Sequence, residues 1–292
     1  MAEYVLAEDT LSPSTQELIE SLQQAFRRCE TTFFVIGAWA RDLHLEHRHD
    51  IRLRRRTRDT DVAFAVAHWN MYDRVRNVLI DEFGFQKGTQ AERLVAPQGG
   101  HPVDLIPFGS IEDDSHTLTW PPHHERAMST LGLQEAGQTA DTFVLGNEGL
   151  SFRVTSLPAL SILKLIAWSE QPHKREKDAI DFASVLRHYY DINRARMIDK
   201  HLDLLGEPDF DERIASARLL GRDMVSVLEI SSVLASTTID ILNEQTHDVQ
   251  SSLLADQMVG IKLPTQDQPT VKRLVQQLKA MRQEIEAALN IT

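Results

Sequence analysis

The chain carries one cysteine, Cys29, among 292 residues, so an internal disulfide is excluded. It lacks any run of about 18 uninterrupted apolar residues, the length a membrane-crossing helix needs, and no membrane partner is expected. Its opening, MAEYVLAEDTLSPS, has neither a basic start nor a long apolar stretch and does not read as a secretory signal. A cytoplasmic location fits these absences. No G-x-x-x-x-G-K-S/T loop and no G-x-G-x-x-G run occurs, which argues against a P-loop enzyme and a dinucleotide oxidoreductase. Internal repeats and low-complexity tracts are missing too. Positive charge is short: 31 Lys and Arg stand against 43 Asp and Glu, a net charge of −12. A chain so acidic repels phosphates at long range and is a poor general binder of nucleic acid.

What is present begins with an ordinary globular composition, 42% hydrophobic and 25% charged with both signs mixed. One segment reverses the overall charge. His47 to Arg58 reads HRHDIRLRRRTR, with arginines at 48, 52, 54, 55, 56 and 58. A local basic stretch on an acidic body can hold a phosphate-bearing ligand, or it can be a solvated loop.

Hydrophobic periodicity predicts a helix over Ser14–Glu30, a strand over Thr32–Ile36, and a helix over Ala38–Glu46. A strand over Thr60–Val66 and a helix over Trp69–Phe83 follow, then strands over Glu92–Ala96 and Pro102–Pro107. Ser110–Gly149 reads as loop with a strand near Thr142–Leu145, and Leu150–Val154 as a short strand. From Ser156 the pattern turns helical. Thr155 or Ser156 suits an N-cap and Pro158 a first turn. Helices are expected over Ala159–Glu170, Arg175–Tyr189, Asn193–Leu205, Asp211–Leu228, Ser232–Glu244 and Thr270–Ala288. The fold class is therefore α+β: a small mixed sheet with flanking helices over residues 1–154, then an all-helical domain over 155–292.

Two carboxylates, Asp59 and Asp61, lie two apart in TRDTDVAFAV. On a strand such residues share a face. The other face carries Thr60, Val62, Phe64 and Val66, which read as core. Carboxylates side by side repel unless a cation lies between them, and oxygen ligands of this kind suit Mg2+ or Mn2+. Asp104 lies in HPVDLIPF, flanked by the apolar Val103 and Leu105. If its strand pairs beside that of Asp61, a third carboxylate faces the same site, to complete a metal shell or to accept the proton of an attacking hydroxyl. Otherwise it is an ordinary aspartate at a strand end.

Phe33 to Asp42 reads FFVIGAWARD: an apolar strand ends in Gly37 and a helix begins at once. Backbone N–H groups at such a turn form an anion site, and Gly37 would let a phosphate approach closely. Arg41, one turn on, is placed to touch phosphates or to pair with Asp42. The succession of a G-x-x-x-R-D turn, R-D-T-D-V-x-F and V-D-L-I-P resembles the polymerase-β-like nucleotidyltransferase superfamily. The usual turn there is Gly–Ser, whereas this sequence has Ala38 at the serine position. The resemblance implies that Asp59, Asp61 and Asp104 are catalytic and metal-binding, and that Gly37, Ala38 and Arg41 bind the nucleotide.

A second stretch, SLPALSILKLIAWSEQPHKREKDAIDFASVL from Ser156 to Leu186, resembles the helix pair of AbiEii-type nucleotidyltransferase toxins and their relatives. Lys164 is the one charged side chain between Leu157 and Trp168. A buried lysine needs a partner, and a triphosphate or Asp104 would serve; alternatively its ammonium reaches the surface. Lys174, Asp178 and Asp181 fall at i, i+4 and i+7 on the next helix. Asp178 is expected to orient Lys164 or to contact base or ribose; an exposed ladder of charge is the alternative. The resemblance spans roughly residues 30 to 190. It implies transfer of a nucleoside monophosphate from an NTP to an acceptor hydroxyl, with RNA such as tRNA as acceptor and an antitoxin as partner. A small-molecule- or protein-modifying nucleotidyltransferase and a non-catalytic nucleotide-binding relative are the alternatives. A zinc site from His44, His47, His49, His123 and His124 is disfavoured, because no pair has helical i, i+4 spacing. Cys29 reads as a passive thiol.

Overall fold

The structure is a computed structural model that describes residues 1–291 except 54–56, 58, 98, 122–126, 147–148, 207–208 and 261–269. It divides into two compact units, Met1–Ser156 and Leu157–Thr292.

In chain order the first unit holds β1 (Glu3–Leu6), α1 (Pro13–Arg28), β2 (Phe34–Ile36), α2 (Gly37–Asp42), β3 (Thr60–Ala65) and α3 (Trp69–Phe83). Then come β4 (Gln86–Lys87), β5 (Arg93–Val95), β6 (Pro102–Phe108), β7 (Thr117–Thr119), β8 (Ala127–Ser129), α4 (Leu133–Gln138), β9 (Asp141–Leu145) and β10 (Ser151–Val154). Among the described residues, eight strands form one mixed sheet in the order β1-β9-β10-β2-β3-β6-β5-β4, while β7 and β8 pair separately. β3 lies antiparallel to β2 and parallel to β6, so the centre of the sheet is built from the segments that carry the sequence motifs.

Local chemistry explains the helices that cover it. α1 starts at Pro13, behind Ser12, whose hydroxyl accepts from the Thr15 N–H at 3.3 Å. Its buried face of Leu18, Ile19, Leu22, Ala25 and Phe26 recurs at helical spacing. Phe26 meets Phe64 of β3 edge to face at 4.9 Å, and Phe64 stacks on Tyr72 of α3 at 5.9 Å, so both helices pack on one face of β3. α2 does not run on as an α-helix through Glu46; a π-helical turn over Leu43–His47 continues it, a form frequent near functional sites. The stretch expected to be loop contains the β7–β8 pair and α4. Both elements are short, below the length at which periodicity distinguishes them. β1, an edge strand of four residues, was not expected for the same reason.

The second unit holds α5 (Leu157–Glu170), α6 (Glu176–Ile192), α7 (Arg194–Lys200), α8 (Glu212–Leu228), α9 (Ser232–His247), α10 (Leu253–Met258) and α11 (Val271–Leu289). α5 is apolar nearly all round, as a helix enclosed by others must be. Side-chain N-caps start four of the helices: Asp211 for α8, Ser231 for α9, Ser252 for α10 and Thr270 for α11. The single helix expected over Asn193–Leu205 is instead α7 followed by a 3-10 turn over Leu202–Leu204, with the break at His201.

Candidate active site

Asp61 and Asp104 are direct neighbours in the parallel β3–β6 ladder. Asp59 lies just before β3. One ligand oxygen from each of Asp59, Asp61 and Asp104 falls within 4.8 Å of the others. Val62, Val103 and Leu105 beside them are fully buried and anchor the strands. Asp104 itself is buried, while Asp59 and Asp61 are half-buried. Three carboxylates this close carry a charge that the sheet alone does not offset.

One residue the sequence reading overlooked supplies part of the offset. Arg93 of β5 stands opposite Asp104 in the antiparallel β5–β6 ladder. Its Nε donates to Asp104 Oδ1 at 2.7 Å and its Nη2 to Oδ2 at 2.6 Å, a two-pronged fork. The same Nη2 lies 3.4 Å from Asp59 Oδ2. The hydrogen bond to Asp104, with the nearby aspartate charges, holds the Arg93 guanidinium above its ordinary pKa. The Ala96 N–H donates to the His101 carbonyl at 2.9 Å and sets residue 93 opposite 104, a register that residue spacing alone does not fix.

Gly37 has φ +71°, and a Cβ built there would come within 2.1 Å of Asp61 Oδ2. The sequence suggested that this glycine admits a phosphate. In the structure it is the Asp61 carboxylate that fills the space a side chain would take. Ala38 is half-buried in the first turn of α2. Arg41 is 2% exposed, and its Nε and Nη2 donate to Asp42 Oδ1 at 2.9 and 2.6 Å, the pairing expected as the alternative to a phosphate contact. Burial pushes the Asp42 carboxyl up, against the pull of Arg41.

Lys164 and Asp178 belong to the second unit. Lys164 Nζ donates to Asp178 Oδ1 at 2.6 Å and to Asp181 Oδ2 at 2.9 Å. All three side chains are nearly closed off from solvent. Asp178 also accepts from Arg175 at 3.2 Å. Burial alone would lower the Lys164 pKa, but Asp181 and Asp178 outweigh it and raise it. Within this unit the buried lysine is partnered by two aspartates of α6, and Asp178 orients it, one of the roles the sequence led us to expect. Asp181 is 2% exposed, so no surface ladder exists, and Lys174 precedes α6 rather than sharing its face.

Of the histidines, His44 is buried in the π-helical turn with Nε2 on the Thr155 carbonyl at 3.0 Å. Burial pushes its pKa down to about 3. Cys29 is buried and burial raises its pKa. In the basic segment the Arg48 guanidinium lies 3.4 Å over the Tyr4 ring, and Arg52 is exposed. Arg54, Arg55, Arg56 and Arg58 lie outside the described residues, as do His123 and His124. No described helix is long and apolar enough to cross a membrane.

No protein-family model matches the chain, and no curated protein matches it. Among solved structures it is similar to an antigenic nucleotidyltransferase-like protein from Paracoccidioides brasiliensis, at 18% identity and TM-score 0.39, covering 67% of this chain and 92% of that one. It is also similar to the antibiotic-resistance factor ANT(2'')-Ia, at 16% identity and TM-score 0.35, covering 66% and 97%. The CdnE c-UMP-AMP synthase of Rhodothermus marinus is similar at 12% identity and TM-score 0.27, covering 96% and 92%.

Proposed function

We propose that the chain is a metal-dependent nucleotidyltransferase that moves a nucleoside monophosphate from an NTP to an acceptor hydroxyl. The observation that carries this reading is the cluster of Asp59, Asp61 and Asp104, with ligand oxygens within 4.8 Å of one another and Asp61 beside Asp104 on neighbouring strands. An all-carboxylate donor set fits Mg2+ or Mn2+, and Gly37 leaves Asp61 the room to join it. A divalent ion held by Asp59, Asp61 and Asp104 would offset the charge that develops at the reacting phosphorus. In the transfer the hydroxyl oxygen bonds to the α-phosphorus, the bond to the β-phosphate oxygen breaks, and pyrophosphate leaves. The hydroxyl proton passes to a carboxylate of the cluster.

The resemblance of Ser156–Leu186 to AbiEii-type toxins supports RNA, such as tRNA, as acceptor, with an antitoxin as partner. The arginines between His47 and Arg58 suit the approach of triphosphate or RNA. The net charge of −12 favours a second reading, a cationic small-molecule acceptor.

The test is incubation with each α-phosphate-labelled NTP, Mg2+ and total RNA, beside an Asp59→Ala/Asp61→Ala control. Label in RNA that the control lacks is the expected result. Label on protein alone would redirect the reading to protein modification. Absence of label with every NTP, with cationic small acceptors also supplied, would remove the transferase reading.

A further inference from the structure

Among the described residues, the Arg93 guanidinium is held against the three carboxylates in a specific position. Arg93 does not reach in from a loop. It stands directly across from Asp104 on a paired strand. Its stem lies against Gly88, where a Cβ would come within 2.5 Å of Arg93 Cγ and 2.8 Å of its Cβ. The glycine that follows β4 therefore leaves room for this side chain in this pose. The fork occupies both oxygens of Asp104, and its outer nitrogen leans toward Asp59. With a side-chain exposure of 28%, Arg93 is sheltered but not enclosed.

We propose that Arg93 is a resident counter-cation that competes with a divalent ion for Asp104 and keeps the nucleotide-free cluster weakly loaded. This rests on the reading of the three aspartates as a divalent-ion site. The geometry supports competition: an ion that takes Asp104 as a ligand must approach a fixed positive charge hydrogen-bonded to both of the oxygens it needs. A triphosphate relieves this, because its oxygens offer the guanidinium another fork partner. Metal loading and nucleotide binding are thereby coupled through one side chain, a positioning role rather than a catalytic one.

The sign of the effect separates competition from support. A side chain that merely orients Asp104 lowers metal affinity when it is removed, whereas a competing cation raises it. The experiment is a calorimetric titration of Mn2+ into the nucleotide-free full chain, for wild type, Arg93→Gln, Arg93→Lys and Asp59→Ala/Asp61→Ala. Arg93→Gln is expected to bind Mn2+ about tenfold more tightly than wild type, as loss of a like charge a few ångström away requires. Arg93→Lys keeps the charge but loses the fork, so it is expected between the two, and it carries the test if the glutamine variant fails to fold. Affinity equal to or weaker than wild type in the folded variants would overturn the proposal while leaving the metal site standing. No Mn2+ binding in any of the proteins, or unaltered binding in Asp59→Ala/Asp61→Ala, would overturn the metal reading and this proposal with it.

Discussion

Two clusters of aspartates, one in each unit, solve the same electrostatic problem in opposite ways. In the first unit Arg93 forks Asp104 and leans toward Asp59, while Asp59 and Asp61 remain half-buried. In the second, Asp178 and Asp181 are matched by Lys164 and Arg175, and the lysine and both aspartates are almost fully enclosed. Both look alike as sequence, a pair of aspartates at a spacing that shares a face. The difference is how far the fold encloses the carboxylates. A closed cluster with its cation inside is accounted for by folding. Three carboxylates of which two stay half-buried are a place for an external cation. The contrast moves functional weight onto the sheet and away from the helix pair.

The largest expected effect puts that contrast to direct measurement. Lys164→Ala strands two buried carboxylates and should cost about 3–5 kcal/mol of stability, seen as a fall in Tm of roughly 10 °C. Asp61→Asn relieves like-charge crowding at an open site, so it should abolish transfer while shifting stability by less than about 1 kcal/mol. A Lys164→Ala protein that melts like wild type but binds NTP poorly would break the comparison and return Lys164 to the nucleotide site.

Much of this was legible from residues alone, for identifiable reasons. The α+β class followed from periodicity, and α3 spans Trp69–Phe83 as the spacing of Tyr72, Val75 and Leu79 indicated. The shared face of Asp61 and its neighbours followed from the two-residue period of a strand. Register was not legible. Both β5 and β6 were expected, but the pairing that sets Arg93 opposite Asp104 depends on where the intervening turn closes. Arg41 and Lys164 show the other gap. Spacing reveals which residues can meet, whereas burial decides whether they remain available to a ligand, and burial is a property of the packed chain. The Lys164 helix and Asp178 as a partner for the lysine were anticipated; the second aspartate on the ammonium, Asp181, was not.

A smaller effect sharpens the open side of the comparison. Gly37→Ala places a Cβ where Asp61 Oδ2 now sits and forces a side chain to φ +71°. The backbone strain alone should cost about 1–3 kcal/mol, and the displaced carboxylate should weaken Mn2+ binding in the same calorimetric titration. The pairing of the two losses is the point. Reduced stability with Mn2+ affinity intact would mean that Asp61 is not a ligand and that Gly37 serves the turn only.

The smallest effect, measured per pH unit, separates the units by how each treats a buried ionisable group. His44 in the first unit is kept neutral: burial pushes it down to about 3, against the hydrogen bond to the Thr155 carbonyl and with Arg48 and His49 nearby. Lys164 in the second is kept charged, held above its ordinary value by Asp181 and Asp178 despite burial. The signs follow. Below the ordinary histidine value of about 6.5 the unfolded chain takes up a proton at residue 44 that the folded chain refuses, so stability falls as pH falls, by about 1.4 kcal/mol per pH unit until about pH 3. Lys164 adds nothing over that range, since it is protonated folded and unfolded alike; its contribution is lost only as pH rises past the ordinary lysine value. His188 is also lowered, to about 4, and adds a slope of the same sign, so the informative quantity is a difference between proteins. His44→Gln keeps a donor for the Thr155 carbonyl and cannot titrate. Denaturant unfolding of wild type and His44→Gln between pH 7 and pH 4.5 should give curves whose slopes differ by about one proton. Parallel curves would mean that His44 takes up its proton in the folded state as readily as in the unfolded one, and that the first unit tolerates a buried charge as the second does.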